Sequence, residues 1–260
     1  MNTNRTMDVA ALAALVWVAA ATLHEGLGHG VACRLTGGDP IGWSTFHFNC
    51  DHQSVSLSGW RVIAGAGTAV NVALMALGYL WWRRVGDPMA RLAAWIVIAV
   101  NGLTTFGYLV FSAAFGIGDW NTSGVIAGVS NTGLARAVLA IIGVAGYVAV
   151  IRLSAAMLSR LLHSPTAMAD ARRITTTIWL TTGIESLLAA VMAGAGWRST
   201  LGASIGVALG GNAGLLTIPR FTMSSNEPGT FTLRKSMALR VAAILSVAVF
   251  VLILGPGVRL

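Results

Sequence analysis

The chain has 260 residues, of which 55% are hydrophobic and 10% charged, with a mean hydropathy of +0.74. That balance excludes an ordinary soluble domain and reads as a polytopic membrane protein. The net charge of +8 arises from 17 basic residues that lie mostly in short stretches between apolar segments, which suits helix orientation and anionic lipid and excludes a nucleic-acid partner.

Apolar windows of about 20 residues, the length that crosses a bilayer, predict spans over 8–30, 60–82, 90–115, 134–158, 175–197, 200–218 and 237–255. The expected fold is all-α, a polytopic transmembrane helix bundle with six or seven spans. The first span follows Arg5 and contains Ala19-Ala20-Ala21, a pattern shared with cleaved signal peptides. Its apolar run continues through Val31 and Ala32, which favours a retained helix. Near the outer end of that run stands HEGLGH, residues His24 to His29. The loop HFNCDH then adds His47, Cys50, Asp51 and His52; with Cys33 as the other cysteine, no disulfide framework is expected.

The second span has Asn71 near its middle and ends in Trp81-Trp82-Arg83-Arg84, an expected interfacial anchor. The third ends in FGIGDW, which carries Asp119. Arg152 in the fourth span and Glu185 in the fifth are expected to pair inside the bundle, with a proton relay as the alternative role for Glu185. The sixth span reads TLGASIGVALGGNAGLLTIP and stops at Pro219, so it is either a full crossing or a re-entrant or broken helix. No internal repeat of the kind that builds transporters from inverted halves is evident.

If all seven spans cross, Arg5, Arg83 to Arg91, Arg160 to Arg173 and Arg220 to Arg240 fall on one side. The positive-inside rule then predicts a multi-pass protein of the plasma (inner) membrane with its N-terminus cytoplasmic and its C-terminus outside. HEGLGH, HFNCDH and Asp119 share the outer side in that topology.

Histidine and glutamate together are what zinc hydrolases use to hold a metal and move a proton. A carboxylate at the centre of a membrane helix costs about 2.5–3.5 kcal/mol on insertion scales, so Glu25 implies a use. The familiar helical motif is H-E-x-x-H, with histidines four apart on one face. Here they are five apart, which at about 100° per residue separates them by roughly 140°. A single π-bulge would bring positions i and i+5 together, and Gly26, Gly28 and Gly30 ease such a distortion. Glu25 and His29, already i and i+4, form the alternative ligand pair. For Asp119 the other reading is a cap on the turn before Asn121 and Thr122; for Asn71 it is a helix–helix hydrogen bond.

HEGLGH resembles the H-E-x-x-G-H motif of the dipeptidyl-peptidase III type of zinc peptidases over six residues. A broader resemblance, over residues 12–125, is to the site-2 protease family of intramembrane metalloproteases. HEGLGHGVACRLTGG is similar to that family's first core helix with one residue inserted, AGAGTAVNVALMALGYLWW to its helix bearing an asparagine, and Gly118-Asp119 to its aspartate next to glycine. The family's proline-bearing stretch before the aspartate is replaced here by VFSAAFGIGDW. The resemblance implies a metalloprotease-like membrane core over 1–125, with 126–260 as additional helices of no assigned role. It implies Zn2+ held by His24, His29 and Asp119, Glu25 as the catalytic base, and Asn71 as a hydrogen-bonding support for substrate or oxyanion. Glu185, His47 and His52 compete with Asp119 for the third ligand position. The function expected is hydrolysis of a peptide bond in a membrane-protein substrate; the alternative is a non-catalytic protein or a proton- or metal-linked carrier with a degenerate metal site.

Overall fold

The computed structural model describes residues 3–193, 200–202, 204–227 and 231–260. Among the described residues, seven helices are long and apolar enough to cross a membrane, so the all-α polytopic bundle is as expected. The first span, Arg5–Leu35, joins α1 (Thr3–Leu23), a π-helical stretch (His24–Gly30) and α2 (Val31–Leu35). There follow α3 (Leu57–Arg84), α4 (Pro88–Phe115), α5 (Thr132–Leu162), α6 (Ala167–Val191), an irregular span (Thr200–Phe221) and α7 (Met237–Val249) with a π-helical extension (Phe250–Leu254).

Side-chain caps set several of these starts. Ser56, Asp87, Asn131 and Ser236 each accept a backbone N–H from three residues on, and Pro88 occupies the first turn of α4 where its missing N–H costs nothing. Gly116, at φ 68°, ends α4 in the left-handed conformation that glycine tolerates. The core lies around α4, whose residues Leu92, Trp95, Ile96, Ala99 and Leu103 are fully buried. The indole N–H of Trp95 is satisfied by the Ser154 carbonyl of α5 at 2.8 Å, as a buried tryptophan requires. At the basic end of the bundle, Arg240 Nε donates to the buried Asp8 at 2.8 Å, tying α7 to α1.

Several local expectations need correction. The fifth helix begins at Ala167, not 175, because Arg172 and Arg173 lie inside it; the expected end over 194–197 lies outside the described residues. Glu185 and Arg152 do not pair. Arg152 sits over the Phe221 ring, 4.0 Å from its centroid, a cation–π contact, whereas Glu185 is buried with Oε2 lacking a hydrogen-bond partner among the described residues. Trp81 is exposed as an anchor would be, but Trp82 turns inward and Arg91 of α4 covers its ring. The sixth span is broken, as one of its two readings anticipated: a π-helical stretch (Ser204–Gly210) passes into 3-10 turns (Gly211–Leu216 and Ile218–Phe221). Tyr147 of α5 holds the break, its hydroxyl donating to the Gly211 carbonyl and accepting the Gly214 N–H.

The HFNCDH stretch is not an irregular loop. Its residues form β2 (His47–Asp51), antiparallel to β1 (Asp39–Ser44), and β1 pairs on its other edge with β3 (Val258–Arg259). Cys33 at the end of the first span and Cys50 in β2 are joined by a disulfide, contrary to expectation. The hairpin turn brings them together, a tertiary event that spacing alone does not show. Closing a loop of 17 residues is worth about 3 kcal/mol in the chain-entropy account. Replacing both cysteines by serine is therefore expected to lower the thermal midpoint in detergent by several degrees; an unchanged midpoint would remove the bridge from the stability account.

Candidate metal centre

The π-helical stretch His24–Gly30 removes the angular problem that the five-residue spacing poses. With the wider turn, the two imidazoles face the same way and their Nε2 atoms lie 3.3 Å apart. The stretch is held by close packing at its glycines. A Cβ on Gly28 would lie 2.6 Å from the Gly67 Cα of α3, and one on Gly67 would fall on the His24 imidazole, so glycine at both positions is what allows the first span and α3 to approach. Gly26 and Gly30 pack against Trp43 of β1 and Phe48 of β2. The glycines thus serve contact as well as backbone freedom.

Asp119 arrives from the segment after α4. Gly118, at φ 83°, makes the turn, and a side chain there would strike the Tyr108 hydroxyl. That hydroxyl accepts the Asp119 N–H at 3.0 Å. From α3, Trp60 and Arg61 donate to the carbonyls of Ser123 and Ala127, and Thr68 accepts the indole N–H of Trp120 at 2.9 Å. So fixed, Asp119 Oδ2 lies 3.6 Å from His24 Nε2 and 3.4 Å from His29 Nε2. Asn121, not Asp119, caps the turn here, its Oδ1 accepting from the Ser123 N–H and hydroxyl. Burial works against the charge on Asp119, but hydrogen bonds from His24 and then His29 outweigh it and hold its carboxyl well below the usual range.

Three donor atoms, two imidazole nitrogens and one carboxylate oxygen, therefore form a nearly equilateral triangle with edges of 3.3, 3.4 and 3.6 Å. Tetrahedral zinc with bonds of about 2.0–2.1 Å has ligand–ligand edges of about 3.3–3.4 Å, so the residues fit that ion. His29 Nδ1 lies 2.7 Å from the Ile63 carbonyl; when the ring is neutral and donates there, Nε2 gives up its proton and turns its lone pair to the triangle, the usual way a ligand histidine is oriented. Glu25 lies beside the triangle. One ligand atom from each of His24, Glu25 and His29 falls within 4.8 Å of the others, and Glu25 is only 7% exposed.

All four residues line a cavity of about 940 Å³, large enough for several peptide residues. Comparison with family models, with curated proteins and with solved structures finds no match. The site is therefore read from its own chemistry.

The other sequence candidates separate clearly. Asn71 lines the cavity, is 3% exposed, and its Oδ1 has no hydrogen-bond partner among the described residues, so the helix–helix bond that was its other reading is not made through that atom. His47 lines the cavity at its rim, whereas His52 stacks on Trp60 with centroids 4.1 Å apart and does not. Glu185 lines no part of it. Sequence reasoning missed Asn101, Thr104 and Tyr108, which line the cavity from α4. Their i, i+3, i+7 spacing on an otherwise apolar helix was the available signal. Asn101 is buried with its Oδ1 unpartnered among the described residues, and Thr104 accepts from Asn212 of the broken sixth span at 3.2 Å.

Proposed function

We propose that this protein is a membrane-embedded zinc metalloprotease, similar to the site-2 protease family, that hydrolyses a peptide bond of a membrane protein. The observation that carries the reading is the triangle of His24 Nε2, His29 Nε2 and Asp119 Oδ2 beside the buried Glu25. His24, His29 and Asp119 would hold the ion. When bound, zinc supplies a Lewis acid that polarises a carbonyl and lowers the pKa of water toward about 7.

The remaining work belongs to the chain. Glu25, buried near the ligand atoms at the wall of the cavity, accepts the proton of the attacking water and delivers it to the departing amine nitrogen. Asn71 hydrogen-bonds the peptide or the developing oxyanion. The unpartnered Oδ1 atoms of Asn71 and Asn101 are acceptors for the backbone N–H groups that a substrate helix frees on local unwinding, since an unpaired peptide group in hydrocarbon costs several kcal/mol. Residues of β1, β2 and the 118–124 stretch line the cavity around these groups.

In this reading the N-terminus is cytoplasmic in a plasma (inner) membrane and the cavity opens at the outer leaflet. The arginine distribution supports that orientation, and so does the Cys33–Cys50 disulfide beside the cavity, because such bridges persist on the oxidising side.

Elemental mass spectrometry of the detergent-purified protein tests the reading. About one zinc per chain is expected, with loss in both His24→Ala and Asp119→Ala. Loss in His24→Ala alone would remove Asp119 from the ligand set. A well-folded wild type that takes up no zinc even on reconstitution would overturn the metalloprotease reading.

A further inference from the structure

The segment that follows α7 returns to the metal cavity. The π-helical Phe250–Leu254 is anchored there: Phe250 is fully buried, its ring meets Phe46 edge-on at 6.1 Å, and the Leu254 carbonyl accepts the Thr45 N–H at 3.1 Å. Beyond this anchor the character changes. Pro256 and Gly257 form a bend, with Gly257 at φ 89°, and only Val258 and Arg259 pair with β1, opposite Trp43 and Gly42. One further bond runs from the Leu260 N–H to the Ile41 carbonyl at 3.0 Å. Val258 is 37% and Leu260 62% exposed, so little apolar burial holds the strand down.

Position gives this weak strand its meaning. Gly255 to Arg259 line the same cavity as His24, Glu25 and Asp119, facing it together with Ile41, Gly42 and Trp43 of β1. The edge of β1 that they cover is the one an extended peptide entering the cavity would meet, and main-chain pairing to a sheet edge is a common way to hold such a peptide. A two-residue strand with few buried contacts opens at low cost, whereas its anchored base does not.

We infer that residues 256–260 are a strap that restrains access to the metal cavity, swinging about Pro256 and Gly257 and competing with substrate for the edge of β1. This regulatory role rests on the hydrolase reading of the site, but the opening itself can be measured without metal or substrate. Both native cysteines are in the disulfide, so a cysteine introduced at Ala21, which lines the cavity, is a lone thiol. Its rate of reaction with a charged, water-soluble maleimide reports access in the intact protein.

In the Ala21→Cys background, Val258→Pro, which takes an N–H from the paired strand, and deletion of residues 257–260 are each expected to speed labelling by about fivefold or more. Arg259→Ala, which leaves the backbone pairing in place, is expected to label at the parent rate. Equal rates in all four proteins, each with the parent's elution profile and thermal midpoint, would overturn the strap. Zinc content of the same preparations judges the metalloprotease reading separately, so faster labelling without zinc upholds the strap and removes the protease, and zinc with equal labelling does the reverse.

Discussion

Replacing Glu25 by Gln is expected to reduce peptide hydrolysis by about 10²–10⁴-fold, the usual contribution of a positioned general base, while zinc content stays at the wild-type level. Glutamine keeps the volume and polarity of a side chain that is 7% exposed, so packing is preserved and only proton acceptance is lost. The split between activity and metal content is the diagnostic part. Glu25 has a rival role, because its carboxylate lies within 4.8 Å of both histidines' ligand atoms and could serve as a ligand in place of Asp119. A Glu25→Gln protein that loses its zinc would assign Glu25 to the ligand set; one that keeps both zinc and full activity would remove it from the chemistry. Cleavage can be followed by mass spectrometry on a mixture of transmembrane peptides in detergent micelles.

The second large effect is expected at a residue with no functional group. Gly67→Ala places a methyl group on the His24 imidazole, and the facing Gly28 is already too close to yield. Something must shift, and the cheapest motion is rotation of His24 out of the triangle. Zinc affinity should fall about 10–100-fold, the range seen when a group that orients a ligand is altered, and stability by about 1–3 kcal/mol for overpacking. Gly65→Ala on the same helix is the control. A Cβ there meets only Val125 at 3.4 Å, an ordinary contact, and alanine has the better helix propensity by up to about 1 kcal/mol, so metal binding should be retained and the midpoint unchanged or raised. Equal zinc affinity in the two variants would show that the α3 contact does not position His24.

The π-helical geometry of HEGLGH could be anticipated because it follows from one angle. Two histidines five apart share a face only if the helix widens. The pairing of β1 and β2 was also present in the sequence, in the alternation of His47, Phe48, Asn49, Cys50 and Asp51, whose exposed and half-buried positions follow a period of two. Hydropathy averaged over about 20 residues, the length of a membrane span, erases so short an alternation. The same bias hid Asn101, Thr104 and Tyr108, polar residues that a hydropathy average dilutes but a helical wheel aligns. The expected Glu185–Arg152 pair failed for a different reason: depth in the membrane says nothing about which way a side chain points around its helix, and Arg152 faces Phe221 instead.

The sequence by itself determined the class and architecture of this protein. Long apolar runs must become helices in lipid, since no other local structure satisfies the backbone there, and six residues, HEGLGH, mark where the polar chemistry is concentrated. Only the tertiary structure decided that Asp119 meets both histidines, that Cys33 meets Cys50, and that residues near 258 return to β1. Those contacts depend on how separate helices rotate and cross and on where a connecting turn directs the chain, and no local period in the sequence carries that information.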